Sequence, residues 1–144
     1  MFQKSANKNI VYAVNDPFLQ FWLRFVYKYY HFIEANAFGK LAEIVGRDYE
    51  TYSGKMLECY FKEVMRKSGA YTHINSWWDR RGENEIDIIA ADDLGKQVTF
   101  YEVKRQRKEL DLGVLEEKVQ RFRETTGMYG SYKTACKGLS MEDM

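Results

Sequence analysis

Asp87, Glu102 and Lys104 carry charge inside two strand-like runs that are otherwise apolar, Glu85-Ile86-Asp87-Ile88-Ile89-Ala90 and Val98-Thr99-Phe100-Tyr101-Glu102-Val103-Lys104. An uncompensated charge on a buried strand costs several kcal/mol, so each of these groups requires a partner. A divalent metal is one such partner. Glu102 and Lys104 are two residues apart and share a face of their strand by its period of two. Metal-assisted phosphodiester hydrolysis needs hard anionic oxygens for Mg²⁺ or Mn²⁺ and a group that polarises the attacking water. Asp87 and Glu102 suit the first task, with the backbone carbonyl of Val103 as a further oxygen, and Lys104 suits the second. The same three residues equally suit a plain ion pair of Lys104 with Asp87 or Glu102 at the open end of a sheet.

The elements that must position these residues are legible as changes of period. A short strand is predicted over residues 9–14. Asp16 then offers an N-cap and Pro17 a first helical position, where its missing N–H is harmless. The helix so begun is predicted to reach about Glu34, with Phe18, Phe21, Trp22, Phe25, Tyr29 and Phe32 as its packing stripe. Phe38, Leu41, Ala42 and Val45 mark a second helix, ended by Gly46 as its left-handed cap. A third is predicted over about 48–68, with Tyr49, Tyr52, Met56, Leu57, Tyr60, Phe61, Val64 and Met65 facing inward and Gly69 as terminator. Glu58 lies on the rim of that stripe. It suits either a solvent-side pair with Lys62 at the i, i+4 spacing or a third carboxylate leaning into the site.

Alternation replaces helical spacing after Gly69, predicting strands over 71–74, 85–90 and 98–104. The second and third are joined by Ala91-Asp92-Asp93-Leu94-Gly95-Lys96, which suits an antiparallel hairpin and would make Asp87 and Glu102 neighbours. A helix is predicted over about 110–126, stopped by Gly127, and a weak last strand over 131–136 precedes a Gly138-Leu139-Ser140 tail. Basic residues flank the charged strands: Arg80 and Arg81 before them, Arg105, Arg107 and Lys108 after them, and Lys118, Arg121 and Arg123 on the next helix. Gathered on one side they would follow a phosphate backbone, with Trp77 or Trp78 for stacking. Interleaved as they are with Glu109, Asp111, Glu116, Glu117 and Glu124, they also suit a solvated surface.

Composition narrows the class. With 144 residues, 45% of them hydrophobic and 16% aromatic, the chain can bury a core unaided. Lys plus Arg is 22 against 21 for Asp plus Glu, so a nucleic-acid role must rest on a local patch rather than on net charge. Cys59 and Cys136 form no CxxC pair and read as reduced thiols of a cytoplasmic protein. The N-terminal residues lack the apolar core of a signal peptide. The stretch 18–33 is interrupted by Arg24, Lys28 and His31 and reads as a core helix, so no membrane partner is expected. His31 and His73 stand alone, and no GxSxG, HExxH or GxGxxG is present.

A glutamate-bearing helix followed by a hairpin with Asp and Glu-x-Lys resembles the PD-(D/E)xK nuclease superfamily. Asp87 would be its first-strand aspartate, Glu102-Val103-Lys104 its second-strand motif and Glu58 its helix glutamate. Asn15-Asp16-Pro17-Phe18-Leu19-Gln20-Phe21-Trp22-Leu23-Arg24-Phe25-Val26-Tyr27, together with Trp77-Trp78-Asp79-Arg80-Arg81-Gly82, is similar to the C-terminal domain of archaeal-type AAA+ ATPases, a domain of unknown function placed in that superfamily. This likeness covers nearly the whole chain.

The resemblance implies an α/β fold with a restriction-endonuclease-like core (helix, three strands, helix, strand) over 49–144, behind an N-terminal aromatic helical layer over 1–48. It implies a Mg²⁺- or Mn²⁺-dependent phosphodiesterase acting on DNA, with Glu58, Asp87, Glu102 and Lys104 catalytic and Arg80, Arg81, Arg105, Arg107 and Lys108 on the nucleic acid. The alternative keeps the fold without catalysis, as a DNA-binding or protein-docking module in which the four residues form a satisfied ion network.

Three departures stand beside the likeness. Gly54-Lys55-Met56 is no Walker motif, so ATP binding in that manner is not expected here, and the resemblance implies a P-loop ATPase region on a parent chain. Ile86 replaces the proline that often precedes the aspartate. Gln120 lacks the tyrosine of the glutamine motif found on the following helix in some members. An aromatic face left bare by a missing ATPase region would favour self-association.

Overall fold

The computed structural model describes Val14 and residues 16–144. The strand predicted over 9–14 therefore lies, Val14 apart, outside the described residues. The chain divides into two compact units between Asp48 and Tyr49.

In the first unit, Asp16 accepts a hydrogen bond from the Leu19 N–H at 2.8 Å and Pro17 follows at the first helical position, which starts α1 (Pro17–Phe21). The single helix predicted to Glu34 is not what forms. A π-helical segment, Trp22–Tyr27, follows α1, and the chain restarts after Tyr29 (φ −114°, ψ 26°) as α2 (Tyr30–Glu34). A widened turn advances the side chains by more than 3.6 residues, so a stripe read at ordinary helical spacing does not stay on one face. Phe25 is buried and packs at a tilt against Phe21 (centroids 5.0 Å apart), whereas Phe18 and Trp22 of the same predicted stripe are exposed. Asn36 then turns the chain at φ 53°, a left-handed conformation that asparagine tolerates.

The two helices predicted around Gly46 are one, α3 (Phe38–Ser68). Gly46 does not take the positive φ of a C-terminal cap, whereas Gly69 (φ 67°) does and ends the element. A mid-helix glycine costs only about 1 kcal/mol, and the burial of Leu57, Phe61 and Met65 further along outweighs it. Tyr49, Tyr60 and Val64, predicted to face inward, are exposed. The buried row is the narrower i, i+4 series.

The second unit is a mixed α/β arrangement around a four-stranded sheet ordered β1 (His73–Trp78), β2 (Glu85–Asp92), β3 (Gln97–Val103) and β4 (Lys133–Leu139). β1–β2 and β2–β3 are antiparallel, the latter joined as the predicted hairpin, while β4 runs parallel to β3 after the crossover helix α4 (Leu112–Thr126). α4 opens on Asp111, which accepts from the Gly113 and Val114 N–H groups, and closes on Gly127 at φ 66°. β1 lies later than predicted because Trp77 packs edge-on against Phe122 (5.5 Å), and Trp78 is exposed. β4 also runs later, taking in the predicted tail. Gly138 faces Glu102 there, and a Cβ on it would come within 2.6 Å of Leu110.

Each face of the sheet has its own core. Leu57, Phe61 and Met65 of α3 pack on Ile88, Ala90, Tyr101 and Val103, and Leu115, Val119 and Phe122 of α4 pack on Ile86, Ile89, Ala91, Val98 and Phe100. Among the described residues no helix is long and apolar enough to cross a membrane, and Cys59 and Cys136 are free thiols.

Candidate functional site

The two cores reveal an irregularity in β2. Ile86 and Ile89 join the α4 side whereas Ile88 and Ala90 join the α3 side, so the alternation slips by one at Asp87 and Ile88. The register with β1 shifts at the same place, between Asn75 and Trp77. This is a β-bulge, which re-aims a side chain and disrupts the ladder locally. Ser76 fastens it, donating its hydroxyl hydrogen to the Asp87 carbonyl (2.8 Å) while accepting from the Lys62 ammonium (2.6 Å). On the other side, the β2–β3 pairing ends at Ile88 and Tyr101. Beyond that point the Val103 N–H donates to Asp87 Oδ2 at 2.7 Å. The aspartate thus takes the place of a ladder carbonyl where the strands part.

Asp87 is only 9% exposed. Burial pushes its pKa up to about 6, the Val103 hydrogen bond opposes that rise, and the charges of Glu58 and Glu102 add to it. Glu58 arrives from α3, one residue past the buried Leu57, with Lys55 and Lys62 on the same helical row. Its Oε2 lies 2.7 Å from Lys55 and 3.8 Å from Lys62, so the pair predicted with Lys62 is the longer of two. Burial holds the half-buried Lys62 amine below its usual pKa, whereas for Lys55 burial also lowers it but the hydrogen bond and charge of Glu58, joined by the charge of Glu85, together raise it overall.

Glu58, Glu85 and Asp87 each offer a carboxylate oxygen, and these three lie within 4.8 Å of one another. Oxygens around an octahedral Mg²⁺, bound at about 2.1 Å, stand roughly 3 to 4 Å apart, so a small inward movement would suit that ion. The donors are all hard oxygens, as Mg²⁺ and Mn²⁺ prefer. Glu102 is not in this group. It is 5% exposed, and its carboxylate meets Lys104 at 3.1 Å and Lys118 of α4 at 3.1 Å. For Lys104, burial would lower the pKa, but the bond to Glu102 and the charges of Asp87 and Glu58 raise it overall. Val103 enters through its N–H rather than the carbonyl predicted for it.

Of the predicted site residues, Glu58 and Asp87 therefore meet beside Glu85, whereas Glu102 and Lys104 pair with each other and with Lys118, both groups lying toward the end of the sheet where β2 begins and β3 ends. The predicted nucleic-acid residues divide. Arg80, Arg81 and Lys108 are exposed at that same end. Arg105 lies over the Tyr49 ring (5.9 Å) and near Glu50 (3.9 Å). Arg107 is tied to Glu142 (3.0 Å) and Asp143 (2.7 Å) of a short 3₁₀ turn, Met141–Asp143.

Glu85 escaped the sequence reading, and Lys118 entered it only among the basic residues flanking the charged strands, not as a partner of Glu102. Glu85 stands two residues before Asp87 and shares its face by strand period. Lys118 stands in the buried Leu115, Val119 and Phe122 stripe, a charge in an apolar row of the kind that singled out Asp87.

A mixed α/β unit with a bulged, carboxylate- and lysine-bearing strand end is the class that fold and site define. The chain belongs to the DUF234 family, described as Archaea bacterial proteins of unknown function, whose model matches residues 22–123. An uncharacterized protein of Methanocaldococcus jannaschii is 33% identical over 100 residues, covering 65% of this chain. The chain spans 22% of that relative's length. No solved structure matches.

Proposed function

We propose that this chain is a nuclease-like domain of the PD-(D/E)xK type, with a restriction-endonuclease-like core, that hydrolyses phosphodiester bonds in DNA with Mg²⁺ or Mn²⁺. The observation that carries the reading is the bulge at Asp87, which brings its carboxylate beside Glu58 and Glu85 while Lys104 stands across the parted strands. Glu58, Glu85 and Asp87 would hold the ion, and the ion when bound would supply Lewis-acid polarisation of the scissile phosphate. The Lys104 ammonium, charged at neutral pH, orients the attacking water and balances negative charge growing on the phosphoryl oxygens. Val103 fixes the Asp87 carboxylate through its N–H, so the ligand oxygen is aimed before any cation arrives. Arg80, Arg81 and Lys108 add cationic surface for the flanking backbone. The resemblance to the C-terminal domain of archaeal-type AAA+ ATPases, and the small share of the relative that the chain spans, support a place beside a P-loop ATPase region in a longer cytoplasmic protein.

One observation favours a second reading. Lys55 and Lys62 lie against Glu58, and Lys104 and Lys118 against Glu102, an arrangement that a catalytically inactive DNA-binding or docking module would also keep as an ion network. Incubating duplex DNA with the protein in Mg²⁺ or Mn²⁺ separates the two. Cleavage by the parent, reduced on the order of a hundredfold or more in Asp87→Ala and Lys104→Ala, supports the nuclease. No cleavage by any of the three, with DNA retention unchanged, supports the inactive module.

A further inference from the structure

The charges at this end of the sheet sort into two lobes. Glu58, Glu85 and Asp87 face Lys55 and Lys62, three carboxylates against two ammoniums, which leaves an excess of negative charge. Glu102 alone faces Lys104 and Lys118, one carboxylate against two ammoniums, which leaves an excess of positive charge. The Lys118 ammonium bridges both Glu102 oxygens, at 3.3 and 3.1 Å, and the Lys104 ammonium lies 3.1 Å from Oε1. Sharing Oε1 keeps the two ammoniums within about 6 Å of each other. That spacing lets each donate a charge-assisted hydrogen bond of about 2.8 Å to a different oxygen of one phosphate group. Lys104 is 42% exposed and Lys118 19%, so both retain access to solvent, whereas the Glu102 side chain at 7% does not.

We propose that Lys104 and Lys118, drawn together by the buried Glu102, form a two-ammonium subsite for a backbone phosphodiester, so that Glu102 serves the anion while Glu58, Glu85 and Asp87 serve the cation. The inference rests on the nuclease reading for its substrate and deepens it by giving Glu102, which stands outside the Glu58, Glu85 and Asp87 group, to the phosphate side of the site. Lys118 is then a phosphate ligand contributed by α4. The helix sets its position because the burial of Leu115, Val119 and Phe122 leaves Lys118 no choice of face.

The test uses a fluorescent DNA duplex of about 20 base pairs in EDTA, titrated across a range of NaCl, with the melting temperature of every variant recorded. Losing one phosphate contact lowers the slope of log affinity against log salt by about 0.9. Lys118→Gln, which still donates a hydrogen bond to Glu102 but carries no charge, is expected to show that reduced slope and an affinity several-fold weaker, and Lys118→Arg is expected to keep the parent slope. A Lys118→Gln protein with the parent slope, altered only in melting temperature, overturns the subsite. Mn²⁺ titration followed by electron paramagnetic resonance addresses the other half. Glu102→Gln is expected to bind within about twofold of the parent and Asp87→Asn at least tenfold more weakly; equal losses in both overturn the assignment of Glu102. Absence of DNA cleavage by the parent bears on the nuclease reading alone, since the salt slope is measured without metal.

Discussion

At the residue scale, Asp87 connects local geometry to pH. The bulge and the parted strands bury a carboxylate whose pKa is raised from 3.8 to about 6. Below pH 3.8 the group is protonated in folded and unfolded chains alike and contributes no difference. Between there and about 6 the unfolded chain releases its proton while the folded one keeps it, so stability falls as pH rises. Above about 6 the full cost remains, on the order of 2–3 kcal/mol. Asp87→Asn keeps an acceptor for the Val103 N–H and removes the charge. Urea denaturation of the metal-free protein is expected to find this variant more stable than the parent by that order at pH 7.5 and equal to it near pH 3.5. A variant less stable at pH 7.5 would mean that the carboxylate holds the strands together rather than straining them.

At the scale of elements, two glycines that look alike in the sequence have opposite roles. Gly46 lies inside α3 at an ordinary helical φ, with open space where a Cβ would point. Gly127 closes α4 at φ 66°. Gly46→Ala is expected to stabilise by up to about 1 kcal/mol, and Gly127→Ala to destabilise by about 1 kcal/mol or somewhat more, both measured by equilibrium denaturation. The two cores on the sheet faces depend on different helices. Leu115 is fully buried among the α4-side residues, so Leu115→Ala is expected to cost about 2–5 kcal/mol. Because Lys118 lies one turn further along, the same substitution should loosen its hold on Glu102.

At the scale of the whole molecule, cation binding and stability are linked. An ion held by Glu58, Glu85 and Asp87 in the folded chain alone raises the melting temperature with ion concentration. It must also displace the proton that Asp87 retains up to about pH 6. Thermal denaturation in Mn²⁺ is therefore expected to show an upward shift at pH 7.5 that shrinks at pH 5.5. A shift equal at both values, or one retained in Asp87→Asn, would place the ion elsewhere.

Much of this was open to reading from the residues alone. A charge on a buried strand is expensive wherever that strand packs, so Asp87 and Glu102 were legible as groups in need of partners before any contact was known. The short Asp- and Gly-containing connection made their two strands a hairpin, Asp16 with Pro17 fixed a helix start, and Gly69 and Gly127 fixed two helix ends. Gly46 was misread because a glycine ends a helix only where the chain beyond it gains by turning, and that gain depends on what Leu57, Phe61 and Met65 pack against. The aromatic stripe over 18–32 failed for a related reason, since periodicity assumes a turn of 3.6 residues and the π-helical segment does not keep it. Tertiary structure alone decided which carboxylates meet. The β-bulge opposite Ser76 aims Asp87 toward Glu58 and Glu85, and the approach of α4 to the far face adds Lys118 to the Glu102–Lys104 pair that the spacing of two already allowed. Side-chain types and spacings specify which groups need partners, but the partner itself is set by how helices and strands pack, which no local pattern encodes.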